Sequence, residues 1–485
     1  MTKKYPGIVL LLLLGALSFT YRPEPVAAPA PVLPVPSEKQ LRYHEMELNA
    51  FIHFTTNTFT DLEWGMGDEK PGVFNPTDID VNQWTRVIKN AGFKGVVLTT
   101  KHHDGFCLWP SKYTEHSIKN SPYKNGKGDI VKEVSDACRQ AGLLFGVYMS
   151  PWDRNRADYG TPSYVEYFRN QARELFTNYG PIFEMWFDGA NGGKGYYGGA
   201  NETRKINSAT YYDWPTTIAL IRQLQPNVLF FSDAGPDIRW VGNERGVAGT
   251  TNWNTITNDT LHAGKGGIEK LLNTGSEDGT SWVPAEVDVS IRPGWFYHEN
   301  EDSLVKTPEK LFEIYLTSVG RGSNLLLNIP PDRRGRVHEN DVRSLEGFRK
   351  LVDAAFRTNL AAGAAVTASN TRGNDKKFAG AKLTDGKKDT YWATDDGITK
   401  AELSVKLKKT VPAKFIVLQE YITLGQRVKQ FAVDAWVDGN WKEVATGTTI
   451  GYKRILPLSG IETNQVRVRI QDSKAAPVLS AIAVY

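Results

Sequence analysis

Eight short apolar runs alternate with amphipathic helical patterns between residues 42 and 358, and this alternation constrains the fold more than any other feature. The runs lie at 49–54, 95–102, 143–150, 183–188, 227–233, 248–253, 283–290 and 323–329, of which 248–253 is the weakest. Helical patterns lie between them, at 81–91, 129–141, 163–178, 215–224 and 307–319. Strands that alternate with helices in this way form a parallel sheet, and eight of them close into a barrel. The sequence therefore predicts an α/β fold, a (β/α)₈ barrel over residues 42–358.

Residues 359–485 have a different pattern, in which helical periodicity gives way to short alternating runs such as 403–408, 415–419, 430–437 and 466–471. Such runs indicate half-buried strands of an all-β sandwich. An alanine-rich stretch at 355–366 marks the predicted boundary between the two domains.

The N-terminus carries two lysines at positions 3 and 4, continues with an apolar segment from Ile8 to Phe19, and then becomes rich in proline and alanine. This order is typical of a secretory signal, and the segment is shorter than the roughly 20 apolar residues of a membrane span. We expect a signal peptide over 1–21 and a Pro/Ala-rich linker over 22–41, which we interpret as a disordered tether. The protein is then secreted, into a periplasm in the simplest case, with no stable membrane anchor after cleavage.

The composition excludes some partners. A net charge of +4 on 485 residues, without a basic tract, argues against nucleic-acid binding. Cys107 and Cys138 are the two cysteines. Two cysteines do not make a disulfide framework, so we expect unpaired, buried thiols. The oligomeric state is left open.

The fourth apolar run, Phe183–Asp188, ends on a carboxylate that is followed by Gly189. Buried parallel strands are nearly all apolar, so an acidic residue at the end of one needs a reason. The carboxyl ends of barrel strands carry the catalytic groups of such enzymes. Asp188 is therefore the leading candidate for a catalytic nucleophile.

Three histidines follow strand ends at the same edge: His53, His102 and His103. Adjacent residues on a strand point to opposite faces, so His102 and His103 separate unless the strand breaks there. No further ligand at metal-binding spacing accompanies them. We therefore favour a pocket that binds a polyol over a metal site, and we expect no cofactor for catalysis.

A retaining glycosidase needs a second carboxyl group, about 5–5.5 Å from the nucleophile. Glu244 follows the fifth strand, and Glu286 lies in the seventh. Glu63, beside Trp64, supplies a third carboxylate near the predicted edge. The sequence alone leaves the choice between Glu244 and Glu286 open.

Together these motifs resemble glycoside hydrolase family 29, the α-L-fucosidases. The matching runs, in the order of that family, are 52–54 (Ile-His-Phe), 63–65 (Glu-Trp-Gly), 101–106 (Lys-His-His-Asp-Gly-Phe), 148–152 (Tyr-Met-Ser-Pro-Trp), 186–189 (Trp-Phe-Asp-Gly) and 239–244 (Arg-Trp-Val-Gly-Asn-Glu). The resemblance implies retaining hydrolysis of terminal α-L-fucose from fucosylated oligosaccharides or glycoconjugates, with Asp188 as the nucleophile. It also implies a set of fucose-binding residues: His53, Glu63, Trp64, His102, His103, Tyr148, Trp186 and Arg239.

Within that family, the run 239–244 resembles a branch whose acid/base lies on this loop, which assigns Glu244 to the role. Residues 282–286 and 292–298 resemble the same branch, which prefers α-1,3/1,4-linked fucose in Lewis-type glycans. Trp64, Trp186 and Trp295 are the candidates for an apolar wall against the C6 methyl of fucose, and Trp295 joins the predicted binding residues.

Residues 379–392 contain Leu383, Asp385-Gly386 and Thr390-x-Trp392, which resemble the discoidin sandwich of family 32 carbohydrate-binding modules. In such domains this loop often holds a structural calcium, a role that falls here to Asp385. An Asp-Gly pair is also a strong turn signal by itself. The domain either binds sugar or simply buttresses the barrel.

Two other functions stay open on the sequence. One is a glycan-binding protein with a decayed barrel, although both candidate catalytic carboxylates are present. The other is a barrel glycosidase of different sugar specificity, such as an α-galactosidase, which the combined histidine and tryptophan motifs disfavour.

Overall fold

A computed structural model describes residues 1–3 and 25–485. The predicted signal peptide, residues 1–21, lies outside this range except for its first three residues. Over the described ranges, no helix combines the length and the apolar character that crossing a membrane requires.

Eight parallel strands close into a barrel in which each strand pairs with its neighbours along the chain, and the last pairs with the first. The strands are Leu48–Ile52, Gly95–Lys101, Leu144–Met149, Glu184–Trp186, Leu229–Ser232, Ile238–Trp240, Ala285–Ser290 and Asn324–Asn328. Side chains fill the barrel interior, among them Phe51, Tyr148, Trp186, Phe231 and Leu326. The predicted (β/α)₈ barrel is therefore confirmed.

The sixth strand is not where the sequence predicts it. Residues 248–253 form irregular structure, and the strand is Ile238–Trp240, which pairs in parallel with the fifth and the seventh strands. Only residues 233–237 separate it from the fifth strand, with no helix between them. A three-residue strand without a preceding helix shows neither a long apolar run nor the alternation of strand and helix that predicts a barrel strand.

Helices cover the outside of the barrel at all five predicted places, as Val81–Asn90, Ile130–Ala141, Pro162–Asn178, Trp214–Leu224 and Pro308–Thr317. Four more helices are Glu38–Met46, Thr56–Thr60, Glu269–Thr274 and Glu339–Phe356. The second of the five shows how the boundaries are set. The Asp129 side chain accepts a hydrogen bond from Lys132 N at its start, and Gly142 adopts φ 72° at its end. Cys107 and Cys138 are buried and unpaired, as predicted.

The C-terminal domain is an antiparallel β-sandwich, as the sequence predicts. Its strands are Ala365–Ala368, Trp392–Ala393, Ala401–Glu420, Val428–Val437, Asn440–Gly447, Arg454–Ser473 and Val478–Val484. The domain has an apolar core of its own, built from alternate residues of the long strands, such as Leu403, Val405, Val466 and Val468.

The sandwich packs directly on the barrel. Gln426 of the sandwich accepts hydrogen bonds from the backbone N–H (2.8 Å) and the side chain (3.0 Å) of Asn254, and it donates to Asn252 O at 3.0 Å. Phe356, at the end of the last barrel helix, lies 5.2 Å from the rings of both Phe415 and Tyr485. Buried polar groups paired across the contact fix how the two domains meet.

The expectation of a disordered tether is wrong for the described part of the Pro/Ala-rich segment. Val32 N donates to Leu424 O at 2.9 Å, Arg372 Nε donates to Ala27 O, and Arg427 Nη2 donates to Ala30 O at 2.7 Å. Arg427 is buried, so it needs such acceptors. Composition predicts an extended segment but does not reveal that the sandwich supplies partners for its backbone.

Candidate active site

A cavity of about 270 Å³ opens at the carboxyl ends of the barrel strands. Nine of the predicted site residues line it: His53, Trp64, His102, His103, Tyr148, Trp186, Asp188, Glu244 and Trp295. Phe51 and Asp288 complete the lining. The residues come from at least six strands or the loops that follow them, so the barrel itself brings them together.

Asp188 follows the fourth strand, and both of its carboxylate oxygens accept hydrogen bonds. Tyr148 donates its hydroxyl to Oδ2 at 2.9 Å, and Ala190 donates its backbone N–H to Oδ1 at 2.7 Å. Burial raises the pKa of Asp188 from its ordinary value, and these two donors act in the opposite direction by favouring the ionised form. The carboxylate is therefore fixed in one orientation at the wall of the cavity.

Glu244 lies on the loop after the sixth strand and faces the same cavity. Its Oε2 accepts a single hydrogen bond, at 3.3 Å, from the indole N–H of Trp295. Burial raises the pKa of Glu244, and the negative charge of Asp188 raises it further. Two carboxyl groups with unequal hydrogen bonding in one pocket can divide into an ionised and a protonated member.

His102 and His103 both line the cavity, because the second strand ends at Lys101 and the chain turns there. The ring centroids lie 4.1 Å apart, and Nε2 of His103 is 3.9 Å from Oδ2 of Asp188. Burial lowers the pKa of His103 to about 3 and that of His53 to about 4, and it lowers the pKa of His102 as well. The three rings are therefore neutral near pH 7, when each can both donate and accept a hydrogen bond.

Aromatic side chains form the rest of the wall. Trp186 stacks on Phe231 at 4.1 Å and on Tyr148 at 5.2 Å, which holds its indole rigidly in the barrel. Trp295 packs against the His53 ring at 5.4 Å. Trp64 is half exposed at the mouth, edge-on to His103 at 5.0 Å. Such surfaces suit the apolar face or methyl group of a sugar.

Arg239 does not line the cavity, so the prediction that it contacts substrate is wrong. It alternates on the sixth strand with Ile238 and Trp240, which face the barrel interior, and its own side chain therefore points outward. The fully buried guanidinium donates to backbone and side-chain oxygens of Leu272, Val283, Asn252 and Trp253. It organises the loops outside the strand.

Glu63 is also absent from the lining and lies behind the Trp295 loop. Its carboxylate accepts from the backbone N–H groups of Trp295 (2.8 Å) and Phe296 (3.1 Å), and it contacts Nε2 of His298 at 2.7 Å. The structure therefore places Glu63 as a support for Trp295, which in turn contacts Glu244.

Glu286 lies below the cavity, fully buried in the barrel. It accepts from the Tyr43 hydroxyl at 2.5 Å and from the Trp186 indole N–H at 3.1 Å. Glu184 is buried beside it, and burial raises the pKa of both carboxyl groups. Because Glu286 is covered by the ring of Trp186, Glu244 is the carboxyl group of the two candidates that reaches the cavity.

Phe51 and Asp288 line the cavity but were not predicted from the sequence. Asp288 is buried, accepts from the Trp240 indole N–H at 2.8 Å, and has a pKa raised by burial and by the charge of Glu244. The sequence of the seventh strand could have identified Asp288. Glu286 and Asp288 alternate with Ala285, Val287 and Val289, so both side chains lie on the same face of the strand, towards the barrel interior.

Asp385 in the sandwich forms a turn. Its carboxylate accepts from Lys387 N at 2.9 Å and from the Thr390 hydroxyl at 2.9 and 3.0 Å. Among residues 1–3 and 25–485, no three or more His, Cys, Asp and Glu side chains are placed to hold a metal ion. The calcium role of Asp385 stays a prediction.

Each of the two domains matches a known protein family. A family model described as Alpha-L-fucosidase matches residues 34–354, and one described as F5/8 type C domain matches residues 365–482. Alpha-L-fucosidase 1 of Arabidopsis thaliana is 41% identical over 94% of this chain and 88% of its own length.

Solved structures are similar over nearly the whole chain. A glycoside hydrolase 29 family member from a rumen bacterium is 46% identical, with a TM-score of 0.84 over 94% of this chain and 78% of that one. A Ruminococcus gnavus GH29 fucosidase in complex with fucose is 34% identical, with a TM-score of 0.85 over 95% and 96% of the two chains.

Proposed function

The chain belongs to the alpha-L-fucosidase family of glycoside hydrolases, and from this premise we propose that Asp188 and Glu244 carry out its reaction by double displacement. The enzyme is an alpha-L-fucosidase. One observation carries the assignment of the two residues. Asp188 and Glu244 line one cavity of about 270 Å³, with the pKa of Glu244 raised by burial and by the charge of Asp188.

In the first step, Asp188 attacks the anomeric carbon of the bound fucose and forms a glycosyl–enzyme ester. Glu244 gives its proton to the glycosidic oxygen as the bond to the anomeric carbon breaks, so the leaving sugar departs as a neutral alcohol. The hydrogen bonds from Tyr148 and Ala190 hold the attacking carboxylate in place during this step.

In the second step, the ionised Glu244 takes a proton from water, and the resulting hydroxide displaces Asp188 from the anomeric carbon. Two inversions give net retention of configuration, and Glu244 regains the proton that the next cycle needs. Loss of the Asp188 ester bond restores the free carboxylate.

We assign fucose binding to the residues that line the cavity around the two carboxyl groups. Neutral His53, His102 and His103 offer ring nitrogens to the sugar hydroxyls. Trp186 and Trp295 with Phe51 form an apolar surface for the C6 methyl group. Sites built around particular hydroxyls reject other sugars, because a mismatched hydroxyl leaves a buried polar group unpaired.

The preferred substrates are α-1,3/1,4-linked fucosides of the Lewis type, by the resemblance of residues 239–244 and 292–298 to that branch of the family. We further propose that the protein acts after export, as its N-terminal sequence indicates, and that the sandwich buttresses the barrel through contacts such as Gln426 with Asn254.

A release assay with 2′-fucosyllactose, a Lewis-type trisaccharide and an aryl α-L-fucoside tests the substrate proposal. We expect fucose from the Lewis-type sugar and the aryl fucoside, with little from the 1,2-linked sugar. Equal cleavage of all three would retain the fucosidase and reject the linkage preference. Absence of fucose from all three, with folded protein, would favour a glycan-binding role.

A further inference from the structure

Each of the three cavity histidines has its Nδ1 atom in contact with a polar side chain outside the cavity. Nδ1 of His53 lies 2.9 Å from Oδ1 of Asn328, and Nδ1 of His103 lies 2.7 Å from Oγ of Ser150. Nδ1 of His102 lies 3.3 Å from Nδ2 of Asn57. Because the hydrogen bond at one ring nitrogen decides which nitrogen carries the proton, these neighbours determine what each Nε2 offers.

Asn328 sets the tautomer of His53. Its amide Nδ2 donates to Ser290 Oγ at 2.9 Å and to the backbone oxygen of Trp295 at 2.8 Å, which fixes the orientation of the amide. Its Oδ1 is therefore the atom that meets His53, and an oxygen of this kind can only accept. His53 carries its proton on Nδ1, and its Nε2 is a lone pair.

Ser150 sets the tautomer of His103 in the same sense. The Ser150 hydroxyl donates its single hydrogen to the backbone oxygen of Trp152 at 2.7 Å. Its oxygen must therefore accept from Nδ1–H of His103, which leaves Nε2 as a lone pair, 3.9 Å from Oδ2 of Asp188.

Asn57 sets the opposite tautomer on His102. Its Nδ2 donates to the backbone oxygen of Glu63 at 3.1 Å, so the amide nitrogen, and not the oxygen, faces the ring of His102. Nδ1 of His102 then accepts, and its proton lies on Nε2. Two adjacent histidines, whose centroids are 4.1 Å apart, thus carry opposite tautomers.

We propose that Asn57, Ser150 and Asn328 are positioning residues that fix one ring N–H, on His102, beside two ring lone pairs, on His53 and His103, and thereby select the hydroxyl pattern of the sugar. A hydroxyl against His53 or His103 has to donate, and an oxygen against His102 has to accept. This inference rests on the proposed function and extends it to residues that do not touch substrate.

In this tautomer the Nε2 atom of His103, 3.9 Å from Oδ2 of Asp188, carries no hydrogen, so Tyr148 and Ala190 remain the donors to that carboxylate. Burial lowers the pKa of all three rings, so a doubly protonated form does not replace the tautomers near pH 7.

The tautomers can be read directly by NMR of the protein labelled with ¹⁵N in its histidine rings, because protonated and unprotonated ring nitrogens resonate in separate ranges. The eight histidines make the spectrum tractable, and single His→Gln variants assign the signals. We expect Nδ1–H in His53 and His103 and Nε2–H in His102. The same tautomer in His102 and His103 of the wild-type protein would overturn the proposal.

A functional test combines Ser150→Ala with aryl α-L-fucosides that lack one hydroxyl at C2, C3 or C4. In the wild type, removal of the hydroxyl that donates to His103 should lower kcat/KM at least about tenfold. In Ser150→Ala that loss should shrink to about threefold or less, because Nε2 no longer presents a fixed lone pair. The losses at the other two positions should stay as they are.

Ser135→Ala is the matched control, since the buried Ser135 hydroxyl likewise donates to a backbone oxygen, that of Lys132, on a helix outside the barrel. Ser135→Ala should show the same loss of kcat/KM as the wild type with each of the three deoxy substrates. If Ser150→Ala showed the wild-type loss of kcat/KM with every deoxy substrate, Ser150 would have only a structural role and the proposal would be overturned. A wild type that cleaves no fucoside would reject the proposed function, while the NMR experiment would still decide the tautomers.

Discussion

The Tyr148 hydroxyl donates a 2.9 Å hydrogen bond to Oδ2 of Asp188, and the Tyr148 ring stacks 5.2 Å from Trp186 in the barrel interior. The orientation of the proposed nucleophile is thus coupled to the packing of the barrel. The bond also favours the ionised carboxylate, which opposes the effect of burial on the pKa of Asp188.

Tyr148→Phe should therefore raise the pKa of Asp188. Because the nucleophile has to be ionised, the acid limb of the kcat/KM profile should move to higher pH, and kcat should fall by about tenfold or more. The measurement is a pH profile of aryl fucoside hydrolysis for the variant and the wild type. An acid limb that does not move would separate Tyr148 from the ionisation of Asp188.

Glu244→Ala should abolish cleavage of fucosides with poor leaving groups and spare the first step for activated aryl fucosides, which need no proton. Azide should restore turnover with retained configuration, since the second displacement then needs no base. Glu286→Gln is the control, because Glu286 lies below Trp186 and does not reach the cavity. If Glu286→Gln showed the azide pattern and Glu244→Ala did not, the assignment would be reversed.

Asp288→Asn should keep kcat/KM within about threefold of wild type. Burial and the charge of Glu244 raise the pKa of Asp288, which favours its neutral form, and an amide oxygen can still accept from Trp240. Asp288→Leu should cost about tenfold or more, because the indole N–H loses its partner. Steady-state kinetics of the two variants measure these changes. An inactive asparagine variant would show instead that Asp288 acts as an anion.

The buried pair of Glu184 and Glu286 should make stability depend on pH. Burial raises the pKa of each in the folded protein above the ordinary value of 4.5. The folded state therefore binds more protons than the unfolded state above about pH 4.5, and its stability falls as the pH rises through the folded pKa values. Glu184→Gln removes one titrating group, so its thermal midpoint should fall less between pH 5 and pH 8.

Calorimetry of Glu184→Gln and the wild type over that range tests the effect. Glu309→Gln, at an exposed glutamate on the barrel exterior, is the matched control variant. Parallel curves for Glu184→Gln and the wild type would mean that the pair does not titrate between pH 5 and pH 8.

The sequence predicted the barrel because seven of its strands lie in apolar runs that stand out between helices. It could not predict Ile238–Trp240, because this strand has only three residues and no helix separates it from the fifth strand. The interpretation of Arg239 was wrong for the same reason. The sequence placed this residue on a loop instead of a strand, and the position of a loop residue does not predict the direction of its side chain.

Histidines 102 and 103 show what a motif can and cannot reveal. Their adjacency placed them on opposite faces, and only the end of the strand at Lys101 brings both into one cavity. The contacts of Asn57, Ser150 and Asn328 that orient the cavity histidines are all long-range in the sequence, with separations of 45, 47 and 275 positions. No local pattern encodes such pairings.

The central claim is that Asp188 is the nucleophile, and the stereochemistry of Asp188→Ala tests it most directly. We expect kcat for an aryl fucoside to fall about 10³-fold or more, and azide to restore turnover by attack from the side that Asp188 vacates. The product, followed by NMR, should then be β-L-fucosyl azide, with inverted configuration. Retained configuration in the rescued product, or activity close to that of the wild type without azide, would contradict the assignment of Asp188.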